Sequence, residues 1–430
     1  MIVHNHSCMT ERLLQYIWQF QYFNSKELQV SSGESLQIIF PGHWNVDQGP
    51  DFQQAIIKIG ATKWIGNVEL HLQTSDWFRH AHQNDKNYNS VILHVVWTHD
   101  EGTAVTNIPL LSLQDKVPKM LLSQYEEWMM NPFFIPCGHQ ISDVNSITWS
   151  GWKERLVIER LQRKTGTIES YLQESNDHWE ETFRWLLARN FGIKVNAEAF
   201  EMIARSLPVK ILVRHKNQII QLEALLLGQA GILEKKWEEK YPLMLQKEYL
   251  FYKNKYKIEP IRNPIHFLRM RPENFPTIRL AQLAMLIHHS SHLFSRVLEI
   301  TSISELKSLL AVTANDYWHY HYLPGELSAF KPKKLGEQMV SNIIINTVVP
   351  VVFAFGFIQG KGSYKERALQ WLEEISAEKN RITGKFAELG ICNKTAFDTQ
   401  SLIELKYAYC DKRRCLDCAI GNSLLNPGRL

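Results

Sequence analysis

Apolar and polar positions change rhythm along this chain, and the changes mark its parts. Over residues 10–23, Leu13, Leu14, Ile17, Trp18 and Phe20 recur at helical spacing. Residues 35–40 read as a strand, and a loop rich in Gly, Pro and Asn follows over residues 41–50. Residues 51–59 and 63–72 read as two further strands, the latter alternating with period two. Residues 75–87 are polar and predict a helix capped by Ser75 or Asp76. Residues 91–97 have the continuous apolar character of a buried central strand. The predicted order is helix, three strands, helix, strand: an α/β core of α+β type around a mixed sheet.

From about residue 149 the rhythm is helical, with segments at 152–172, 178–190, 197–207 and 221–227 and more to about 378. Arg271-Pro272-Glu273-Asn274-Phe275-Pro276 and Leu323-Pro324-Gly325 mark loops. Residues 117–147, carrying Pro132, Pro136 and Cys137-Gly138-His139, read as a linker. The chain is thus expected to divide into an α/β domain at 1–140, a mostly α-helical domain at 148–385 and a cysteine-bearing segment at 386–430. The longest apolar stretch, residues 343–357, is broken by Asn346, Thr347 and Pro350. It falls short of the roughly 18–20 residues that span a bilayer, so a core helix kinked at Pro350 is expected and no membrane partner. Met1-Ile2-Val3-His4-Asn5-His6 lacks the pattern of a signal peptide.

Six cysteines in 430 residues do not make a secreted disulfide framework and fit a reduced, cytoplasmic setting. Net charge is +4, but it is unevenly spread. Residues 1–140 hold 8 Lys and Arg against 13 Asp and Glu, whereas the remainder holds 40 against 31. An acidic part joined to a basic part suits a cation site beside a polyanion-binding surface, and nucleic acid is the expected partner. Chance basicity of a helical protein would give the same balance.

Two acids on adjacent strands can converge on one divalent ion, because neighbouring strands run about 4.8 Å apart. Asp51 opens the second strand, and Glu69 and His71 project from one face of the third. Oxygen ligands suit Mg²⁺ or Mn²⁺, whose bound water can attack a phosphodiester.

Pro50-Asp51 followed by Glu69-Leu70-His71, set on this order of elements, resembles the signature of the PD-(D/E)XK nucleases. The resemblance spans roughly residues 10–100. It implies that Asp51 and Glu69 hold the metal and that the third motif residue orients or deprotonates water. It also implies an acid on the first helix, for which Glu11 is the candidate. The chain departs from the pattern at His71, where those nucleases carry Lys. An imidazole can serve as base or ligand near neutral pH, and loss of Lys also fits a member that only binds. Gly49-Pro50-Asp51-Phe52, the 64–71 segment and Ser75-Asp76-Trp77 resemble a bacterial family of uncharacterised proteins as well. Three functions stay open: a metal-dependent nuclease or phosphodiesterase, a non-catalytic nucleic-acid-binding or scaffolding protein, and a metal-dependent hydrolase of a small phosphorylated substrate.

His80, His82, Asp85 and His94 gather near this motif. On a continuous helix 80 and 82 point apart, so His80 and His82 are expected to touch phosphate or to support the metal ligands rather than bind metal directly. His94, mid-strand, reads as a buried, hydrogen-bonded side chain. Cys392, Cys410, Cys415 and Cys418 could converge on Zn²⁺ or an iron–sulfur cluster, with Cys137 as a substitute for Cys392; ordinary reduced thiols are the alternative. In the helical part Arg160, Arg163, Lys164, Arg269, Arg271 and Arg279 are candidate phosphate contacts, although charge on a helix face is more often simple solvation.

Overall fold

A computed structural model describes residues 9–100, 107–290 and 292–425. The N-terminal hexapeptide read above lies outside them. The chain forms two compact units, residues 1–152 with 406–430 and residues 153–405. Of the cysteine-bearing segment, residues 386–405 with Cys392 fall in the helical unit, and Cys410, Cys415 and Cys418 fall in the sheet unit.

The first unit opens with α1 (Glu11–Gln19), started by Thr10, whose side chain accepts the Leu13 amide. Its stripe of Leu13, Leu14, Ile17 and Trp18 is buried, and each aliphatic side chain gains about 1.5–3 kcal/mol by leaving water. Strands β1 (Leu36–Phe40), β2 (His43–Trp44), β3 (Phe52–Ile59), β4 (Thr62–Gln73), β5 (Val91–Thr98) and β6 (Leu110–Ser112) form one sheet. Its order is β1-β3-β4-β5-β6, with β2 paired to β3. The β1–β3 and β3–β4 pairs are antiparallel, whereas β4–β5 and β5–β6 are parallel. The fold is a mixed α/β unit followed by a mostly helical one.

Two sequence expectations change. The polar stretch 75–87 is not one helix. Helix α2 (Asp76–Arg79) stops at once, Ala81 turns left-handed with φ 59°, and two short 3₁₀ turns follow. The expected linker at 117–147 contains α3 (Lys119–Met130), which packs Leu121, Tyr125 and Trp128 inward. Its prolines lie beyond the helix, so they end it rather than forbid it.

The second unit is built from α4 (Ser146–Glu174, whose first turns lie in the sheet unit), α5 (Trp179–Phe191), α6 (Ile193–Ser206) and further helices around one apolar core. Residues 337–358 run as one helical rod, long and apolar enough to span a membrane by length and composition, with 67% of its most apolar window buried. Its middle, Ile344–Val348, is a π-helix just before Pro350. Proline cannot donate to the preceding turn and its ring crowds it, and the wider turn absorbs both defects.

Candidate metal centre

The centre forms where β3 meets β4. Gly49 (φ 109°) turns the chain into Pro50-Asp51, and Gln54 (φ 58°) bulges β3 between Phe52 and Ala55. Phe52 pairs with Val68, so Asp51 arrives opposite Glu69. The Asp51 amide donates to Glu69 Oε2 (3.0 Å), and the Leu70 amide donates to Asp51 Oδ2 (3.0 Å). From α1, Gln15 Nε2 donates to Asp51 Oδ1 (2.8 Å). The two carboxylates are thus locked to each other's strand.

Glu69 Oε1 looks the other way. It lies 3.6 Å from His71 Nε2 and 3.4 Å from His82 Nε2. Ligand nitrogens of His71, His80 and His82 all lie within 4.8 Å of one another. The left-handed Ala81 makes this possible, since it swings His82 back beside His80 where a continuous helix would separate them. Behind the cluster, His71 Nδ1 lies 2.9 Å from Nε2 of the fully buried His94 on the neighbouring strand. Trp77 packs against His71, His82 and His94, and Tyr88 stacks on His82 with centroids 3.8 Å apart.

Burial raises the pKa of both Asp51 and Glu69; Glu11 repels both and Asp51 repels Glu69, while hydrogen bonds from the Leu70 amide and Gln15 to Asp51 and from the Asp51 amide to Glu69 oppose the rise. Burial drives His71 down to about 2, helped by His94, His82 and His80, so its ring is neutral at physiological pH. His94 falls to about 4 for the same reason, with His82 adding to it. His82 is lowered by burial and by His80, and Asp85 opposes the shift. Two buried acids whose ionisation is disfavoured thus stand beside neutral imidazoles.

Asp51, Glu69 and His71 thus come together with His80 and His82, and Glu11 acts on both acids from α1. Sequence reasoning missed Gln15, although it stands one turn after Glu11 on the same helix face. It also missed Trp77 and Tyr88 as supports, and nothing in the sequence announced the turn at Ala81.

The thiols regroup. Cys392 belongs to the helical unit and is exposed. The described cysteines of the sheet unit are Cys137, Cys410, Cys415 and Cys418, and Cys137, Cys410 and Cys415 are each raised further by the charge of neighbouring thiols. Burial raises all four, Cys415 to about 12 and Cys418 to about 11. Arg413 joins the two segments by donating to the carbonyls of Trp128 and Asn131, and Asn131 in turn holds the Pro136 carbonyl (3.0 Å). Amides of Ile420 and Gly421 donate to the Cys418 sulfur. A Cβ at Gly421 would fall 2.2 Å from the Cys415 carbonyl oxygen, so this tight turn requires glycine.

The basic candidates divide. Arg160 and Arg163 both reach Glu404, and Arg160 also holds Gln400 (2.7 Å), so they pin a helix within their own unit. Lys164, Arg271 and Arg279 border a cavity in that unit. Arg269 is exposed with φ 60°.

No curated protein and no solved structure matches the chain. A family model described as "Protein of unknown function (DUF2851)" matches residues 11–381, and the chain therefore belongs to that family.

Proposed function

We propose that the sheet unit is a divalent-metal-dependent nuclease or phosphodiesterase acting on DNA or RNA. The reading rests on one observation: the Glu69 carboxylate touches the Asp51 strand with one oxygen and faces His71 and His82 with the other. The mixed oxygen and imidazole donors fit Mn²⁺ better than Mg²⁺, which prefers oxygen alone. When bound, such an ion polarises a phosphoryl oxygen and makes its water acidic enough to be a nucleophile. Asp51 and Glu69 hold the cation. His71 offers Nε2 while its Nδ1–H donates to His94, which fixes the ring. His82, neutral and less buried than His71, accepts the proton from water, and His80 at the exposed edge contacts phosphate.

Labelled single- and double-stranded DNA and RNA, incubated with Mn²⁺ or Mg²⁺, test this. Cleavage is expected with Mn²⁺ and is lost in Asp51→Ala and Glu69→Ala; cleavage indifferent to both changes sinks the assignment. Retarded migration without cutting would leave a binding protein instead. The three clustered histidines also favour a second reading, hydrolysis of a small phosphorylated substrate, for which turnover of a phosphomonoester but no polynucleotide would speak.

We also propose that Cys137, Cys410, Cys415 and Cys418 hold a thiolate-bound metal centre, zinc or iron–sulfur, with a structural role. Its support is the joining of residues 131–137 to residues 410–418 by Arg413.

A further inference from the structure

Within the helical unit, α4, α5 and α6, the residues around 271–282 and 331–342, and the π-turn enclose a cavity of about 930 Å³. Small-molecule sites run to about 300–1,000 Å³, and this open cavity falls within that range. Its described lining carries eight Lys and Arg side chains and a single carboxylate, Glu273. That carboxylate is already engaged by Lys331.

The deeper cations hydrogen-bond to neutral groups, while carboxylates act on them through space: Glu273 on Arg279 and Lys333, and Glu378 and Glu404 on Lys164. Arg279 is 7% exposed; its Nη1 donates to Gln282 (3.1 Å), its Nη2 donates to Asn274, and its Nε has no partner among the described residues. Lys333 is 3% exposed, with its ammonium 3.7 Å above the Tyr322 ring and 3.5 Å from the His319 carbonyl. Lys164 reaches the Asn346 amide oxygen (3.4 Å) in the π-turn. Eight cations against one carboxylate leave the wall with a surplus of positive charge, which suits an anion from outside. Segments of π-helix recur at functional sites, and this one contributes Asn346 and Thr347 to the wall. Among the described residues no aromatic ring lines the cavity, so it offers phosphate contacts without a platform for stacking bases.

We infer that this cavity binds a multiply phosphorylated small molecule, with Arg279, Lys333 and Lys164 on its phosphates. The inference is independent of the Asp51–Glu69 centre. Calorimetric titration of the full chain in EDTA, with pyrophosphate, ATP and a single-stranded oligonucleotide as separate probes, tests it. Saturable binding of pyrophosphate or ATP is expected, weakened about tenfold or more in Arg279→Gln. Because that change could disturb folding, Arg271→Glu with Lys334→Glu, both at exposed positions, gives a second measure. The double variant should unfold at the wild-type temperature and bind about tenfold or more weakly. Failure of both pyrophosphate and ATP to bind, or affinity unchanged in the double variant, overturns the inference. So does oligonucleotide binding alone, lost in the same variants, which would make the cavity part of a nucleic-acid surface.

Discussion

His82 Nε2 stands 3.4 Å from Glu69 Oε1, and a single left-handed residue, Ala81, brings it there. Without that turn α2 would continue and carry His82 away from β4. The centre thus depends on a backbone conformation that L-residues other than Asn and Asp rarely adopt.

A left-handed alanine costs about 1–2 kcal/mol, and glycine pays little of this but loses more freedom on folding. Ala81→Gly should therefore preserve Mn²⁺ binding at equal or slightly higher stability. Ala81→Ile should lower stability by about 1 kcal/mol or more and weaken Mn²⁺ binding. Urea denaturation and Mn²⁺ titration of both variants check this; indistinguishable variants would contradict it.

His94 stands behind the imidazole cluster and hydrogen-bonds to His71 (2.9 Å). Removing such a support from a metal-bound histidine typically costs about 10–100-fold in affinity. His94→Ala should show that loss for Mn²⁺ while its far-ultraviolet circular dichroism stays unchanged. An unaltered Mn²⁺ affinity would remove His94 from the account.

Cys137 and Cys392 compete for one role. Metal analysis of purified protein should find zinc or iron in the wild type and in Cys392→Ser, and a marked loss in Cys137→Ser. Visible absorbance identifies the iron–sulfur form. Metal retained by Cys137→Ser and lost by Cys392→Ser would reverse the assignment.

In the helical unit, fully buried Glu223 accepts hydrogen bonds from Tyr241 (2.7 Å) and the Trp318 indole (3.1 Å), while Oε1 has no partner among the described residues. Burial pushes its carboxyl up to about 7, against the lowering effect of those bonds. The raised value means that the folded chain favours the protonated form. Its stabilising effect is complete below about pH 4.5 and fades as the pH rises through about 7, a change on the order of 3 kcal/mol. Glu223→Gln should flatten the fall in unfolding free energy across this window. Identical pH slopes for the two proteins would refute the role given to Glu223.

Much of the sheet was legible because its strands obey a period of two and end at Gly, Pro and Asn. Asp51, Glu69 and His71 follow from that reading, since strand alternation alone sets which side chains share a face. His80 and His82 did not follow. Their placement turns on one φ angle at Ala81, which no hydrophobic pattern encodes. Arg160 and Arg163 were legible as cations but not as partners of Glu404, which lies more than two hundred residues away. Cys392 falls in the helical unit and Cys410 in the sheet unit, a division that their closeness in sequence does not announce. Cys137 stood in the sequence as a substitute for Cys392, but its link to residues 410–418 through Arg413 is a long-range contact that the sequence does not show.

The central claim is that one cation is held jointly by the Asp51–Glu69 carboxylates and by imidazole. Pulsed electron paramagnetic resonance of the Mn²⁺-loaded protein tests it most directly. The account predicts one tightly bound Mn²⁺ per chain with a nitrogen coupling that is lost in His71→Ala, and loss of the bound ion in Glu69→Ala. Mn²⁺ bound without nitrogen couplings, or retained with full affinity by Glu69→Ala, would contradict it.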